Sequence, residues 1–409
     1  MIARLLATAA LCALATTATA ETRFSVQKSI SMDQWVHWPP VERWNDDDVV
    51  SNFPEWRAFV SDDELRYLKQ SGLDTVRLPV DPGFILYNGD IVRTLKIYAG
   101  IDNAVKRLRA AGLKVIVDMH TIPRGDGGAA GTRAILENPN LFAAYNEVLK
   151  TIAVRLREFD PSHVALEVIN EPEADCKDPN SQAKWADQLE TLHRTARQAN
   201  AEITLVLTGA CLGSAEGLTQ MNPARFNDPN TLWSFHHYQP FKLTHQSATW
   251  AGPWVEHIAN IPYPPTQLSQ TETLALIDEN TSRIFAALSA VEATKIAAGT
   301  SYDIERLRQQ SELQEEMQGP MNMVADWAAK HAIEPSRILM GEFGMIRQEW
   351  ERPAATQPEW RVNYMRDMTA LAEQKGFAWS MWSFGGAFGM VQGFSGEALE
   401  NPLIDDVLR

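Results

Sequence analysis

Short apolar runs rich in β-branched residues alternate with longer segments of helical periodicity along most of the 409-residue sequence. Parallel strands need a crossover between them, usually a helix, so this alternation is typical of repeated βαβ units. The predicted strands lie at 29–32, 74–79, 114–119, 164–169, 203–208, 232–236, 338–341 and 377–381. Eight strand and helix repeats predict a (β/α)8 TIM barrel, which commonly forms one domain of about 250 residues or more.

A doubly wound open sheet is the main alternative for this pattern. Such sheets often carry a glycine-rich phosphate-binding turn after an early strand, and neither a G-x-G-x-x-G nor a P-loop sequence occurs there. The sixth and seventh strands are much farther apart in sequence than the other consecutive strands. We therefore predict a single-domain barrel over 21–409, with a helical insertion at about 241–333 between strands six and seven.

The first 20 residues have the pattern of a targeting segment. A basic start at Arg4 precedes an apolar run at 5–15, and Ala18 and Ala20 form an A-x-A cleavage site. The apolar run is shorter than the roughly 20 residues that a membrane-spanning helix needs, and no later run is long enough. We expect a cleaved signal peptide over 1–20 and a soluble protein that is periplasmic or secreted.

The cysteine count and the charge limit the location and the partners further. Cleavage would remove Cys12 and leave Cys176 and Cys211, which would form either a disulfide or two separate buried thiols. Lys and Arg number 37 against 52 Asp and Glu, a formal charge of -15 that repels nucleic acids and anionic membrane surfaces. The 13 Trp residues suit sugar stacking or an aromatic core.

Polar residues occur in or directly after several predicted strands, at the barrel end where catalysis takes place. They are Arg77, His120, Asn170, Glu171, His236, Tyr238, Glu342 and Trp382. Two glutamates on separate strands that face one cleft suit glycoside hydrolysis. One carboxylic acid protonates the leaving oxygen, and one carboxylate attacks or stabilises the sugar carbon.

Six motifs occur in this order at the strands: VRLP, DMH, VINEP at 168–172, FHHY, GEFG at 341–344 and WSFGG. Together they resemble glycoside hydrolase family 5, a large retaining barrel family that includes many cellulases and mannanases. The resemblance extends over about 74–382. It implies a (β/α)8 glycosidase with an oligo- or polysaccharide substrate, and it implies no metal or organic cofactor.

The resemblance also assigns roles to the strand-end residues. Glu171 matches the general acid/base, Glu342 the nucleophile, and Asn170 the residue that binds the 2-hydroxyl of the cleaved sugar. The proton donor needs a raised pKa, while the nucleophile must stay ionised. The supporting residues are Arg77 and Tyr238 beside the nucleophile, His120 and His236 in the sugar pocket, and Trp382 as its stacking floor. Retention predicts a separation of about 5 to 5.5 Å between the two carboxyl groups.

Several of these assignments have alternatives. His236 and His237 are adjacent on a strand and point to opposite sides, and the H-x-Y pattern favours His236 in the cleft. Trp379 is expected in the core. Asp118 and His120 form a D-x-H pair that could suggest a metal, but further ligands at suitable spacing are missing from the sequence around it.

Aromatic residues in two loops are candidates for outer sugar subsites or for anchors of the inserted helices. They are Trp35, His37, Trp38, Trp250 and Trp254. A cellulase-like spacing around THQSATW favours a β-linked glucan. We predict an exported, monomeric, retaining β-glucan hydrolase. A transglycosylase or β-mannanase with the same site remains an alternative, and a glycan-binding barrel without activity or a metal-dependent barrel hydrolase is weaker.

Overall fold

The computed structural model describes residues 23–33, 35–36, 60–120, 131–394, 396–399 and 402–409. His37 and Trp38 lie outside the described residues, as does the predicted signal peptide. Eight parallel strands close into one barrel in chain order, with the last strand paired to the first. The strands are β1 Lys28–Ser31, β2 Thr75–Val80, β3 Lys114–Met119, β4 Val164–Glu167, β5 Thr204–Thr208, β6 Thr231–His236, β7 Ile338–Phe343 and β8 Ala378–Met381.

Helices connect the strands and surround the barrel. In chain order they are α1 Asp62–Gln70, α2 Gly83–Asn88, α3 Ile91–Ala110, α4 Arg133–Glu137, α5 Pro139–Arg155, α6 Pro179–Ala199, α7 Ala210–Gly213, α8 Ala215–Thr219, α9 Phe241–Thr244, α10 Pro253–Glu256, α11 Gln270–Ala287, α12 Ala290–Leu307, α13 Gln310–Lys330, α14 Pro358–Gln374 and α15 Ile404–Leu408. Among the described residues, none of the helices combines the length and the apolar character needed to cross a membrane.

Local sequence explains where several helices begin. Ser61 and Glu64 form a capping box at α1, in which each side chain accepts from the other residue's backbone N–H. Proline occupies the first helical position of α5 and α6, where no N–H is needed. Asn138 and Asp178 precede these prolines and accept the next free backbone N–H groups.

The interior of the barrel changes character along its axis. Side chains near the amino ends of the strands form an apolar cluster of Phe24, Val26, Ile116, Ala165, Val206, Leu232, Leu339 and Ala378. Residues two positions further along a strand share its face. In five strands the residue two positions after a member of this cluster is polar, namely Asp118, Glu167, Thr208, Ser234 and Ser380, and all five are fully buried. A polar layer with two acidic residues therefore lies directly below the carboxyl ends of the strands.

The closed barrel confirms the predicted fold class and excludes the open sheet. Most predicted strand bounds differ by one or two residues from those observed. The main differences are in β4, which ends at Glu167 before the VINEP turn, and in β7, which continues through Glu342. Between β6 and β7 the chain forms α9 to α13, of which α11, α12 and α13 each have 18 residues or more.

Candidate active site

Arg77 is a fully buried cation that contacts residues of three other strands or their ends. Its Nε donates to Glu167 at 2.7 Å, its Nη1 to Glu342 at 2.8 Å, and its Nη2 to Asn170 at 2.7 Å. Asp118 lies 3.0 Å from the same Nη2. Burial disfavours the charged guanidinium, but Asp118, Glu167 and Glu342 together raise the pKa of Arg77 well above its usual value.

Glu342 is held inside the barrel mouth by two donors, one on β2 and one in the segment after β6. Arg77 donates to its Oε1, and the Tyr238 hydroxyl donates to its Oε2 at 2.9 Å. The side chain is 5% exposed. Charge-assisted hydrogen bonds from a fixed guanidinium favour the ionised carboxylate. Each oxygen of Glu342 therefore has its own donor, which fixes the position of the carboxylate.

Glu171 lies on the turn after β4 and has a different environment. Its backbone φ is 39°, a left-handed conformation that is uncommon for a residue with a Cβ. Thr132 stabilises the turn, since its hydroxyl donates to the Glu171 carbonyl and accepts from the Glu173 N–H, each at 2.9 Å. The Glu171 side chain is 32% exposed, and its Oε1 is 2.9 Å from His236 Nδ1.

The two glutamates face each other across a short gap. Single side-chain oxygens of Glu171 and Glu342 and a ring nitrogen of His236 all lie within 4.8 Å of one another. Withdrawal from bulk water raises the pKa of Glu171 to about 7, with Arg77 acting in the opposite direction. The protonated Glu171 can therefore donate a proton near neutral pH.

His120 and Trp382 form one wall of the cleft. Their rings are stacked with centroids 5.1 Å apart and planes inclined by 9°. His120 Nδ1 lies 2.6 Å from Asp118, and burial lowers the pKa of His120 to about 3. The ring is therefore neutral, and the Asp118 contact fixes the proton on Nδ1.

The adjacent histidines of β6 and its end point to different sides. His236 contacts both glutamates, at 2.9 Å to Glu171 and 3.6 Å to Glu342. His237 turns away, and its Nε2 lies 2.7 Å from the Met317 carbonyl of α13. Burial lowers the pKa of both imidazoles, that of His237 to about 4. Trp379 is 1% exposed and belongs to the core.

The loops after β4 and β5 are joined covalently. Cys176 and Cys211 form a disulfide, so they are not separate thiols. Two backbone bonds run beside it, from Cys211 N–H to the Ala174 carbonyl at 2.8 Å and from Leu212 N–H to the Pro172 carbonyl at 3.1 Å. The bridge therefore supports the turn that carries Glu171.

The loop aromatics differ in exposure. Trp35 is 4% exposed and packs in the core, with the Arg107 guanidinium 5.0 Å above its ring, so it does not offer an open face to a sugar. Trp250 and Trp254 are 54% and 39% exposed. Trp254 is stacked on Phe241, with ring centroids 5.0 Å apart, which leaves Trp250 as the more open of the two.

Sequence reasoning missed two buried acids at the site. Glu167 pairs with Arg77, and an acidic residue inside the apolar run of β4 was the available signal. Asp33 follows β1 and accepts the Gly385 N–H at 2.9 Å, which fixes the chain beyond Trp382. Burial raises the pKa of Asp33 to about 6, and its hydrogen bonds to Gly385 and Ser383 act in the opposite direction. No sequence motif had marked Asp33.

Glu171, His236 and Glu342 are also a donor set for a metal ion, since two carboxylates and an imidazole converge. The same atoms are engaged with one another and with Arg77 and Tyr238, an arrangement that suits direct acid and nucleophilic roles for the two carboxyl groups. A parallel barrel with such a pair at its carboxyl end defines a glycosidase.

Comparison with known families gives the same class. The Cellulase (glycosyl hydrolase family 5) model matches residues 45–388, which is most of the chain. The chain therefore belongs to glycosyl hydrolase family 5, and the protein is a glycoside hydrolase.

Curated relatives and solved structures extend the comparison. Endoglucanase C of Acetivibrio thermocellus is 22% identical over 329 residues, covering 80% of this chain and 84% of the relative. Cellodextrinase A of Ruminococcus flavefaciens is 26% identical over 194 residues, 47% of this chain and 55% of the relative. The Clostridial cellulose synthase subunit Z of Clostridioides difficile superposes with a TM-score of 0.63 at 18% identity, covering 94% of this chain and 100% of the other. Thermotoga maritima Cel5A bound to cellobiose gives 0.62 at 18% identity, covering 94% and 96%.

Proposed function

We propose that the protein is an exported hydrolase that cleaves a β-linked glucan with retention, by double displacement. The observation that carries this proposal is the pair of unlike carboxylates, whose oxygens approach within 4.8 Å, with His236 between them. Retaining glycosidases keep their carboxyl groups about 5 to 5.5 Å apart, whereas inverting enzymes need room for a water. The short gap supports direct attack by Glu342.

In the first step, a Glu342 oxygen forms a bond to the anomeric carbon while the glycosidic C–O bond breaks. Glu171 gives its proton to the departing oxygen, and its pKa of about 7 supplies that proton near neutral pH. In the second step, the Glu171 carboxylate takes a proton from water, the water oxygen bonds to the anomeric carbon, and the bond to Glu342 breaks. The sugar thus keeps its original anomeric configuration.

The supporting residues have corresponding roles in this proposal. Arg77 and Tyr238 hold Glu342 ionised, and Asn170, fixed by Arg77, is placed to bind the 2-hydroxyl of the cleaved sugar. His120 presents a neutral ring nitrogen beside the Trp382 stacking surface. Because each group is already bonded in place, little reorganisation accompanies charge development in the transition state.

The names of the relatives favour a glucan as the substrate. Curated relatives include endoglucanases, a cellodextrinase and probable glucan 1,3-beta-glucosidases. A β-mannan is the second candidate, because the Thermotoga maritima Cel5A neighbour has also been solved with mannotriose. Transfer to an acceptor sugar would use the same two glutamates.

The test is product analysis on soluble β-1,4-, β-1,3- and β-1,6-glucans and β-mannan, with the anomer followed by NMR. We expect cleavage of a β-glucan with the β-anomer released first, and loss of activity by at least about 10³-fold in Glu342→Gln. Glu202→Gln changes an exposed glutamate in the same way and is the matched control. The α-anomer as first product would reject double displacement, and longer products would indicate a transglycosylase. Loss of activity in EDTA would favour a metal-dependent enzyme.

Export has a separate test. The A-x-A pattern predicts a mature protein that begins at Glu21. N-terminal sequencing of protein from the periplasm or the medium should give that residue. An intact Met1 in the cytoplasmic fraction would contradict export.

A further inference from the structure

Two exposed tryptophans on neighbouring loops stand out beyond the catalytic residues. Trp250 follows β6 and Trp350 follows β7, so both lie at the carboxyl end of the barrel. Their exposed fractions are 54% and 51%. Both indoles present a large flat apolar face at the end of the barrel that carries Glu171 and Glu342, where a sugar ring can stack.

A buried carboxylate ties the two tryptophan segments together. Glu349 is 8% exposed. Its Oε2 accepts from the Thr249 N–H at 3.0 Å and from the Thr249 hydroxyl at 2.8 Å, next to Trp250. Its Oε1 accepts from the Trp350 N–H at 2.7 Å. Burying a carboxylate is unfavourable unless it is hydrogen-bonded, so these three bonds fix the two loops relative to each other.

Ring contacts connect this surface to the catalytic site. Phe388 lies 6.4 Å from Trp250 and 5.9 Å from Tyr238, measured between ring centroids. Tyr238 donates to Glu342. Phe388 also belongs to a small apolar cluster with Ala248, Ile346 and Ala355, against which Trp382 packs. The floor of the sugar pocket and Trp250 thus border the same rigid cluster.

Trp350 is supported separately. Its ring meets the edge of Phe394 at 5.0 Å with an interplanar angle of 83°. The Arg347 guanidinium lies 5.9 Å from the Phe394 centroid. The Trp350 side chain therefore packs against a neighbouring ring, while about half of its surface stays exposed to solvent.

We propose that Trp250 and Trp350, joined by Glu349, form an outer subsite that binds sugar units of the substrate chain beyond the bond that is cleaved. This inference rests on the proposed function and adds to it a requirement for long substrates. The occupant is the same glucan chain, because Trp382 and Trp250 both adjoin the buried Phe388 cluster and so lie close to one cleft. Flat apolar indole faces suit the C–H faces of β-linked sugars. Glu349 acts as a positioning residue.

The test compares substrates of two lengths in wild type and Trp350→Ala. kcat/KM is measured on β-1,4-linked cellohexaose and on the short 4-nitrophenyl cellobioside. We expect the ratio of long to short substrate to fall about tenfold in Trp350→Ala, as the loss of one stacking contact predicts. Trp350→Phe keeps a flat ring and should recover most of the ratio. Phe285→Ala, which removes a 47% exposed ring on α11, is the matched control.

Glu349→Gln tests the positioning role. The amide NH2 group would face either the Trp350 N–H or the Thr249 donors, so at least one of the three hydrogen bonds of Glu349 is lost. We expect a smaller fall of the same ratio, about threefold, with the effect in KM rather than kcat. A fall in thermal stability with an unchanged ratio would assign Glu349 a structural role alone.

Binding separates this inference from the proposed function. In the Glu342→Gln background, cellohexaose should bind about tenfold more weakly when Trp350 is also changed to alanine. If the wild type cleaves none of the glucans but this difference persists, the proposed function fails and the subsite stands. An unchanged ratio and an unchanged Kd would overturn the subsite. If the wild type is a dimer in solution and Trp350→Ala is a monomer, the surface binds a second copy of the protein instead of a sugar chain.

Discussion

The two glutamates that we propose as catalytic residues occupy regions of very different construction. Glu342 lies within β7, its side chain is 5% exposed, and Arg77 and Tyr238 each donate to one of its oxygens. Glu171 lies on a turn after β4 with a left-handed backbone, its side chain is 32% exposed, and His236 is its close side-chain neighbour. One carboxylate is fixed by a strand and a buried cation, and the other by loop contacts.

This difference matches what each group must do in double displacement. A nucleophile must remain ionised and keep one position through both steps, which a strand and an arginine provide. A general acid must hold a proton near neutral pH and exchange it with the leaving group and with water, which requires a raised pKa and access to the cleft. The barrel therefore separates rigidity and proton exchange between two regions of its carboxyl end.

Replacing the Arg77 guanidinium should have the largest effect, because Arg77 contacts the proposed nucleophile Glu342. Arg77→Lys keeps the charge but cannot donate at once to Glu167, Glu342 and Asn170. We expect kcat on the best glucan to fall by about 10²- to 10³-fold. The free energy of unfolding should fall by about 3 kcal/mol, since the single ammonium leaves buried carboxylates without some of their hydrogen bonds.

Arg225→Lys is the matched control, because Arg225 pairs with Asp187 and Glu190 at the surface. It should change kcat by less than twofold and stability by less than about 1 kcal/mol. If Arg77→Lys lost stability but kept kcat within a few-fold of wild type, Arg77 would support the barrel rather than the nucleophile.

The proton on Glu171 should produce the next largest effect, which is a pH dependence. Withdrawal from water disfavours the charged carboxylate and raises its pKa to about 7 in the folded protein. The active acid form is therefore lost as pH rises through that value, and kcat/KM should fall about tenfold per pH unit above it. Glu171→Gln should abolish this basic limb on a substrate with a good leaving group, such as a dinitrophenyl glycoside. A basic limb that persists in Glu171→Gln would assign the titration to another residue.

Much of the barrel and of the first contacts of the site could be predicted from the sequence. Parallel strands in a closed barrel bring their carboxyl ends together, so Arg77, Glu171 and Glu342 had to meet once eight strands were recognised. The alternation of side chains also explains why His236 faces the glutamates and His237 faces α13.

The rest depends on register and loop packing, which local sequence does not encode. The pairing of Glu167 with Arg77 follows from how β2, β3 and β4 align, not from any motif. Trp35 was a candidate subsite residue because it is a tryptophan in a loop, but its ring packs under the Arg107 guanidinium. Glu349 acts through loops that meet only in three dimensions, so nothing near it in the sequence pointed to its contacts.

Opening the disulfide should have the smallest effect on activity, because it acts on the Glu171 turn indirectly. In Cys176→Ala/Cys211→Ala, the turn keeps the Thr132 contacts and the Leu212 bond to Pro172. We expect kcat to fall by no more than about threefold, a change worth less than about 0.7 kcal/mol. The free energy of unfolding should fall by about 3 to 4 kcal/mol, since the bridge closes a loop with a sequence separation of 35. Dithiothreitol should reproduce this loss in wild type and add nothing in the double variant. A fall in kcat as large as that of Arg77→Lys would mean that the Glu171 turn depends on the disulfide. In that case Glu171 would be held in place mainly by a covalent link between loops, whereas Glu342 is held by its strand and by Arg77.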